Sequence, residues 1–486
     1  MATTVFVARE ADAGEPRVAA SLETVKRMKG LGFDVLLERG AGEGSRIPDA
    51  AFEEAGAELV EAKDAGRADV VLKVRRPSAA EMQAYKSGAL VIALMNPFDN
   101  DAAIAALAKA GVTAFSMELL PRITRAQSMD VLSSQANLAG YQAVIEAASE
   151  FDRAMPMMMT AAGTVPAARV FVMGAGVAGL QAIATARRLG GSVSASDVRP
   201  AAKEQVASLG AKFVAVEDEE FRQAETAGGY AREMSKEYQE KQAELIAEHV
   251  AKQDMVITTA LIPGRPAPKL VSRAMLKSMK PGSVAVDLAV ERGGNIEGSE
   301  PGKVVDVEGV RVVGYTNMAG RIATSASVLY AKNLFTFLEA LIDKETKEIK
   351  LDPEDQIVKA TMLTRDGKVV HENFQSAAKA EPESAQTDDA AKAKSGSGKG
   401  SRPAGRKTGG ANEAGAGTSG AKASDTRASD IKASGTEAAT ATPAETSGEA
   451  DDAPAKKLDE PSGDAPDGAS TGTPGDTRSG NDETNT

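Results

Sequence analysis

The stretch from residue 169 to residue 197 constrains the fold of this chain more than any other part of it. A short apolar run at residues 170–173 leads into GAGVAG at residues 174–179, and a segment with helical spacing follows. A second apolar run then ends at Asp197. A strand, a glycine turn, a helix, a second strand and an acidic residue in this order are typical of a dinucleotide-binding βαβ unit. We therefore predict a doubly wound α/β domain around this stretch.

The three glycines of the turn have separate steric tasks. Gly174 permits the tight turn, Gly176 lets the backbone approach a pyrophosphate, and Gly179 lets the helix pack closely against the strand. The N–H groups around the helix start, with Ala175 and Val177 among them, are expected to bind the phosphates. An ordinary structural turn is the alternative. The flanking strands and the acidic residue favour the dinucleotide site.

The acidic residue also favours one nicotinamide cofactor over the other. Asp197, roughly 20 residues beyond the glycines, can accept hydrogen bonds from the adenosine ribose hydroxyls, and its charge would repel a 2′-phosphate. We therefore predict NAD(H) rather than NADP(H), with Val198 beside Asp197 in the site. Arg199 is the opposing signal, because a nearby arginine can accept a 2′-phosphate.

Composition excludes several classes of function. The 486 residues carry a net charge of −12, which argues against nucleic acid as a partner. There is no Cys, and His249 and His371 are the only histidines, so we predict no metal site and no catalytic triad. No apolar run approaches the roughly 18 residues needed to span a bilayer. Charged residues follow the N-terminus too early for a signal peptide. We therefore expect a cytoplasmic protein without a membrane span of its own.

Apolar runs and helical patterns alternate along residues 1–376. Short, continuous apolar runs are typical of strands that are covered on both faces of a parallel sheet. Strands are predicted at residues 4–8, 33–38, 69–74, 89–95, 113–119, 170–173, 212–216, 254–259, 283–289 and 310–315. Helices are predicted at residues 17–31, 49–55, 79–87, 102–110, 129–151 and 318–343, and a hairpin at residues 356–370. This order predicts two Rossmann-like doubly wound parallel-sheet domains joined by long helices.

The predicted first domain comprises residues 1–130, completed by residues 326–376, and the predicted second domain comprises residues 131–325. Residues 377–486 contain no aromatic residue, no Val and no Met, so they cannot form a core and are predicted to be disordered. The polar segment at residues 217–240 is interrupted by two glycines. It could be a solvated connection or a mobile flap near the cofactor.

A second group of polar residues lies between the strand predicted to end at residue 119 and the following long helix. It contains Arg122, Gln127, Asp130 and Ser133. Open α/β sheets bind ligands at the carboxyl ends of their strands. Arg122 could hold a carboxamide or a carboxylate, and Gln127 offers both a donor and an acceptor. Asp130 and Ser133 could either cap the helix or contact the ligand.

Several long motifs extend well beyond the glycine turn. They are PRITRAQSMDVLSSQANLAGYQAVIEAA, MTAAGTVPAARVFVMGAGVAGLQAIATARRLGGSVSASDVRP, GGYAREMS, TALIPGRPAPKLV and VAVDLAVERGGN. Together they resemble the NAD(H)-binding alpha subunit of proton-translocating NAD(P) transhydrogenases, in the form that some bacteria make as a separate chain. This family belongs to the alanine dehydrogenase/transhydrogenase superfamily. The resemblance covers about residues 1–376.

The resemblance implies a catalytic half-site. NAD(H) would bind to this chain, NADP(H) would bind to a beta subunit, and hydride would pass directly between them. Arg122, Gln127, Asp130 and Ser133 match the loop that surrounds the nicotinamide. Membrane-spanning subunits would translocate protons, so the chain would associate peripherally with the inner (cytoplasmic) membrane through these partners. The family also implies a homodimer.

The resemblance assigns further cofactor contacts. Tyr230 and Met234 match a mobile loop that closes over bound NAD(H), which favours the flap interpretation of residues 217–240. Thr259, Ala260 and Leu261, at the start of TALIPGRPAPKLV, are expected to bind the cofactor as well.

Two other functions remain as alternatives. The fold also resembles that of alanine dehydrogenase, which has a catalytic His after the strand predicted here at residues 89–95. This chain has Asn96 at that place. Lys73 and Arg17 could still match basic residues that bind a substrate carboxylate. The other alternative is a nucleotide-binding protein without turnover, because an isolated half-site only binds.

Overall fold

The computed structural model describes residues 2–98, 100–223, 234–262, 264–343 and 345–379. Tyr230, the centre of the predicted flap and nearly all of the predicted disordered tail lie outside these ranges. The expectations for those residues stay predictions.

Parallel strands near the start of the chain form one sheet. These strands are β1 (Thr4–Val7), β2 (Asp34–Glu38), β3 (Glu58–Val60), β4 (Val70–Arg75), β5 (Leu90–Leu94) and β6 (Thr113–Ser116). Their order in the sheet is β3-β2-β1-β4-β5-β6. Neighbouring residues of β1 join different clusters of the core, with Val5 in one and Phe6 in the other, so both faces of the sheet are buried.

Helices follow most of these strands. They are α1 (Leu22–Gly30), α2 (Asp49–Glu54), α3 (Ala79–Met82) and α4 (Asp101–Lys109). The predicted helix at residues 17–31 is wrong for its first five residues. Arg17 is buried in an ion pair with Glu15, and the hydroxyl of Ser21 caps α1 by accepting the N–H of Thr24. The helix predicted at residues 79–87 is also shorter, since α3 ends at Met82.

A long helix and a hairpin connect the two large sheets. The helix, α5 (Val131–Glu150), has 20 residues and is capped by Asp130. The hairpin consists of β7 (Met158–Thr160) and β8 (Gly163–Val165) and was not predicted. Its strands have three residues each, too short to give a clear pattern in the sequence.

The second sheet includes the strand that leads into the glycine turn. Its strands are β9 (Arg169–Met173), β10 (Ser192–Ser196), β11 (Lys212–Phe213), β12 (Met255–Thr258), β13 (Val284–Asp287), β14 (Lys303–Val307) and β15 (Val310–Gly314). Their order is β11-β10-β9-β12-β13-β15-β14, and the edge strand β14, which was not predicted, runs antiparallel to β15. Helices in this region of the chain are α6 (Val177–Arg188), α7 (Ala202–Ser208), α8 (Glu219–Arg222), α9 (Lys236–Val250) and α10 (Arg273–Ser278).

The chain then returns to the first sheet. A second long helix, α11 (Ala323–Ala340), packs there, and the hydroxyl of Tyr330 donates to the carbonyl of Lys73 over 2.9 Å. The hairpin predicted at residues 356–370 is confirmed for its second part and wrong for its first part. Its opening segment is α12 (Gln356–Thr361), because Asp355 caps a helix there, and β16 (Thr364–Arg365) and β17 (Lys368–Val369) follow.

The predicted fold class is therefore confirmed for the described residues. Two sheets are linked by long helices. Among their described strands, only β14 runs antiparallel to its neighbour. The domain boundaries at residues 130 and 325 stay predictions. Within the described ranges, no helix is both long enough and apolar enough to cross a membrane.

Candidate functional site

The turn between β9 and α6 depends on close contacts at two glycines. Gly174 has a φ of +105°, which a residue with a side chain rarely adopts, and its N–H donates to the carbonyl of Ser196 over 2.8 Å. A Cβ on Gly179 would lie 1.8 Å from the carbonyl oxygen of Gly174. A Cβ on Gly176, by contrast, would meet no described atom within 4 Å. The turn is thus packed on the protein side and open above Gly176.

Asp197 and Arg199, the opposing signals in the sequence, form an ion pair. Arg199 Nε and Nη2 lie 2.9 Å and 3.0 Å from the two carboxylate oxygens of Asp197. Asp197 also accepts the backbone N–H of Ala175 over 2.7 Å. The carboxylate therefore braces the glycine turn, and it balances the positive charge of Arg199. Val198, between them in the chain, is 61% exposed.

The predicted residues that follow β12 lie against the same turn. The hydroxyl of Thr259 donates to the carbonyl of Gly174 over 3.1 Å, and the Thr259 N–H donates to the carbonyl of Met173 over 2.9 Å. Ala260 follows, half-buried, and Leu261 is exposed. Fold contacts therefore bring Thr259 and the glycine turn together, although 85 residues separate Thr259 from Gly174.

Asn295, a residue that was not singled out from the sequence, fixes the backbone of this segment through hydrogen bonds. Its side-chain amide accepts the N–H of Ala260 over 3.1 Å and donates to the carbonyl of Ala260 over 2.9 Å. It also donates to the carbonyl of Pro268 over 2.8 Å. Asn295 is completely buried. Its motif, VAVDLAVERGGN, is visible in the sequence, but this contact is not local and only the fold reveals it.

Asn295 is in turn held by Asp287, the last residue of β13. The buried Asp287 carboxylate accepts the N–H groups of Ala289, Asn295 and Ile296 over 2.9 Å, 3.1 Å and 3.0 Å. The hydroxyl of Ser299 donates to it over 2.7 Å. These donors replace the water that the carboxylate loses on burial. Asp287 thereby fixes the turn that carries Asn295 to Ala260.

The predicted catalytic loop precedes α5. Arg122 and Gln127 are exposed there, and Gln127 belongs to a 3₁₀ turn at Thr124–Met129. Asp130 caps α5, because its carboxylate accepts the N–H of Ser133 over 2.9 Å and the hydroxyl of Ser133 over 2.5 Å. The capping interpretation thus describes Asp130 and Ser133 in this structure, and a contact with the ligand stays a prediction.

Helix α5 connects this loop to the glycine turn. A Cβ on Gly140 would lie 2.0 Å from the carbonyl oxygen of Ala178, so α5 and α6 are in very close contact. The side-chain amide of Asn137 also lies 3.4 Å from that of Gln181. The helix that begins at the predicted catalytic loop therefore packs on the helix that begins at the glycine turn. Gly140 was not singled out from the sequence.

Met234 is the predicted cofactor contact of the flap that lies within the described residues. It is half-buried and lies just before α9, and its carbonyl accepts the side-chain amide of Gln239 over 2.8 Å. Tyr230, its predicted partner in the flap, lies outside the described residues.

Arg17, a possible carboxylate-binding residue, is paired inside the protein. Two nitrogens of its guanidinium lie 2.6 Å from the carboxylate oxygens of Glu15, and a third donates to the side-chain carbonyl of Gln135 over 2.8 Å. Burial would raise the pKa of Glu15, but Arg17 and Arg75 outweigh it and hold that pKa below its ordinary value. Glu15 therefore stays ionised and neutralises Arg17.

Lys73 is paired in the same way. Its ammonium lies 2.6 Å from Glu81 and 3.5 Å from Glu10, and the Lys73 side chain is only 1% exposed. Burial raises the pKa of Glu10 in spite of the opposing charge of Lys73. Both cations that could bind the carboxylate of an amino-acid substrate already contact carboxylates of the chain. Their arrangement disfavours the alanine dehydrogenase alternative.

Asn96 is the residue predicted from the resemblance to replace the catalytic His of alanine dehydrogenase. Its φ of +46° is unusual, and Glu118 supports it by accepting the N–H groups of Met95 and Asn96 over 3.0 Å and 2.6 Å. The side-chain oxygen of Asn96 accepts a hydrogen bond from Arg292, which follows β13. An amide side chain cannot act as a general base near neutral pH. Its contact with Arg292 joins the two halves of the chain instead.

The comparisons with known proteins agree with this architecture. The model of the alanine dehydrogenase/PNT N-terminal domain matches residues 6–139, and that of the C-terminal domain matches residues 143–372. A chain of Rhodospirillum rubrum, the first segment of a divided NAD(P) transhydrogenase subunit alpha, is 54% identical over 374 residues, which are 76% of this chain and 97% of that protein. This chain belongs to the alanine dehydrogenase/PNT family. The resemblance predicted from the motifs is confirmed.

Further matches are one curated sequence and two solved structures. The corresponding segment of NAD(P) transhydrogenase subunit alpha from Rickettsia prowazekii is 43% identical over 373 residues, covering 76% of this chain and 96% of that protein. A crystal structure of transhydrogenase from Sinorhizobium meliloti is 68% identical, with a TM-score of 0.70, and covers 76% of this chain and 100% of that one. A structure of L-alanine dehydrogenase, 24% identical with a TM-score of 0.64 over 77% of this chain and 99% of that one, shares the fold.

Proposed function

We propose that this chain is the NAD(H)-binding component of a proton-translocating transhydrogenase. It would bind NADH and pass hydride directly to NADP⁺ on a partner subunit. The observation that carries the proposal is the pairing of Arg17 with the buried Glu15 and of the buried Lys73 with Glu81, because both cations are then engaged within the chain. The transhydrogenase subunits among the relatives support the same function.

The chain's own residues would hold and orient the dinucleotide. The open backbone at Gly176 and the N-terminus of α6 suit the pyrophosphate, and Asp197 suits the adenosine ribose. Arg122 and Gln127 would position the nicotinamide at the surface. Direct transfer breaks the C4–H bond of NADH and forms a C4–H bond on NADP⁺ with the same electron pair. It needs no proton donor from the protein, only reacting carbons roughly 3–3.5 Å apart with water excluded.

The proposed partners follow from the proposal that this chain binds NADH and another subunit binds NADP⁺. The NADP(H)-binding beta subunit would dock against the loop with Arg122 and Gln127. Membrane-spanning subunits would translocate the protons, and the chain would lie on the cytoplasmic side of the inner membrane through contacts with them. The Rhodospirillum rubrum and Rickettsia prowazekii relatives are each one segment of a divided alpha subunit, which fits such an assembly.

Hydride transfer with a partner tests the function. The purified chain, mixed with the NADP-binding subunit and an NADP⁺ analogue whose reduced form absorbs at a distinct wavelength, should oxidise NADH and reduce the analogue in equal amounts. Neither component should do so by itself. A second arm contains the chain, NAD⁺ and alanine, and no NADH should form. An absence of transfer with the partner contradicts the proposal, and alanine-dependent NADH formation favours the alternative enzyme.

The cofactor preference is expected to depend on the pair formed by Asp197 and Arg199. NADH should bind at least about 100-fold more tightly than NADPH, because a 2′-phosphate would meet the Asp197 carboxylate. Asp197→Ala should lower the ratio of NADH affinity to NADPH affinity, since it removes the negative charge that the 2′-phosphate would meet. Arg199→Ala is the matched control and should leave NADPH binding weak. Equilibrium dialysis measures all of these affinities, and equal binding of NADH and NADPH to the unaltered chain contradicts the role of Asp197.

A homodimer is proposed through the hairpin of β7 and β8. Met157, just before β7, is 64% exposed, and Met159, within β7, is 84% exposed. A hairpin with such short strands is only marginally stable in water. A second copy of the chain would cover these side chains. Replacing Met157, Met158 and Met159 by serine should convert a dimer to a monomer in light scattering. Thr164→Ala on the opposite strand is the control. A dimer that survives the triple substitution shows that this hairpin is not the interface.

A further inference from the structure

Asn333, on α11, binds the backbone of the loop that carries Gln127. Its side-chain nitrogen donates to the carbonyl of Ser128 over 2.8 Å, and its side-chain oxygen accepts the hydroxyl of Ser134 over 2.7 Å. A carbonyl can only accept, so the nitrogen of the amide must face Ser128. Asn333 is 8% exposed, so water competes little for these bonds. One buried amide thereby joins the loop, the first turn of α5 and α11.

Gln135, the residue after Ser134, attaches the start of α5 to the core. The side-chain amide of the neighbouring Gln135 donates to the carbonyl of Ala326 over 3.1 Å, and Arg17 donates to Gln135 over 2.8 Å. Gln135 and Arg17 are buried. The start of α5 is therefore fixed to α11 and to the buried ion pair, and Asn333 extends this rigid support to the loop.

The outer side of the loop has a weaker attachment. Arg125 lies 2.8 Å from Asp355 at the start of α12, but the Arg125 side chain is 52% exposed. An ion pair in contact with solvent contributes little to the position of a loop. Ala126 and Met129 pack into the core on either side, and Asn333 supplies a buried side-chain hydrogen bond to the backbone of Ser128, which is adjacent to Gln127.

We propose that Asn333 is a positioning residue for hydride transfer, which sets the place of Gln127 at the surface where the partner's nucleotide docks. This inference rests on the proposed function. A displacement of reacting groups by about 1 Å can slow a reaction on the order of 100-fold. The described side-chain bonds of Asn333 reach the loop and α5, whereas the pyrophosphate and ribose would bind at the glycine turn. Asn333 should therefore affect transfer and leave NADH binding nearly unchanged.

The test compares the rate of transfer with the affinity for NADH in the full chain. Asn333→Ala and Asn333→Asp should lower the single-turnover rate with the NADP-binding partner roughly 10- to 100-fold, with the dissociation constant of NADH changed less than about threefold. The Asp variant keeps the acceptor for Ser134 and loses the donor to Ser128. Ser134→Ala, a milder change, should have a smaller effect of the same kind. Thr336→Val on the same helix is the control, because its hydroxyl bonds only within α11 among its described contacts.

A double-mutant cycle connects the effect to Gln127. If Asn333 acts through Gln127, the rate loss of Asn333→Ala combined with Gln127→Ala should be clearly smaller than the product of the two single losses. A fully multiplicative loss contradicts the inference. So does a parallel loss of NADH affinity and rate, which would indicate a general structural role.

Hydrogen exchange provides a readout that does not depend on transfer. Asn333→Ala and Ser134→Ala should accelerate exchange of the loop amides of Ala126 and Asp130, and leave the amide of Leu180 in α6 unchanged. Unaltered loop exchange in both variants overturns the inference, whatever the rates are. If the unaltered chain transfers no hydride, the proposed function fails separately, and the exchange still decides whether Asn333 holds the loop.

Discussion

Gly176→Val is expected to retain the fold and lose NADH binding, whereas Gly179→Ala is expected to lose both. A Cβ at residue 176 would point into open space, so the thermal unfolding midpoint should not change. The branched side chain would instead occupy the space through which a pyrophosphate approaches the backbone, and NADH affinity should fall about 100-fold or more.

Gly179 is in the opposite situation. A Cβ there would lie 1.8 Å from the carbonyl oxygen of Gly174 and 3.4 Å from the hydroxyl of Thr259, so α6 would have to move away from the turn. Overpacking on this scale costs about 3 kcal/mol or more. Calorimetric titration with NADH and circular dichroism on heating separate the two effects. A Gly176→Val protein that binds NADH normally would remove the turn from the proposed site.

Asp287→Ala is expected to destabilise the protein strongly, because Asp287 is completely buried. It is also expected to weaken NADH binding, although the buried side chain would not touch the cofactor. The substitution leaves the N–H groups of Ala289, Asn295 and Ile296 without their acceptor. An uncompensated buried donor costs about 1–3 kcal/mol, and loss of a buried network about 3–5 kcal/mol. The unfolding midpoint should fall by roughly 10 °C. Asn295 would then no longer hold Ala260 beside the glycine turn.

Asp306→Ala is the matched control for this prediction. Asp306 is exposed in the hairpin of β14 and β15 and accepts one N–H, that of Gly309, over 3.0 Å. Its loss should change the midpoint little, since water can replace it. Asn295→Ala removes the side-chain bonds to Ala260 and Pro268 but keeps the Asp287 network, and it should reduce NADH affinity at a smaller cost in stability. Normal NADH affinity in both Asp287→Ala and Asn295→Ala would show that the position of Ala260 does not matter for binding.

Local patterns in the sequence were sufficient for the portions of the site that are themselves local. The glycine turn and the cap formed by Asp130 and Ser133 involve residues within a few positions of each other, and Asp197 contacts Ala175 within the same βαβ unit. The motifs also predicted the family. The helix predicted at residues 17–31 was wrong for its first five residues, because the spacing of apolar residues does not show that Arg17 pairs with Glu15 inside the protein.

What the sequence by itself determined is the kind of fold and the location of the glycine turn, because apolar periodicity and glycine sterics act over a few residues. The tertiary structure alone decided which residues support the site. Asn333 reaches Ser128 across 205 positions, and Asn295 reaches Ala260 across 35. It also decided that Arg17 and Lys73 meet carboxylates of the chain. A buried polar group takes whatever partner the packed core brings to it, and that partner can lie anywhere in the sequence.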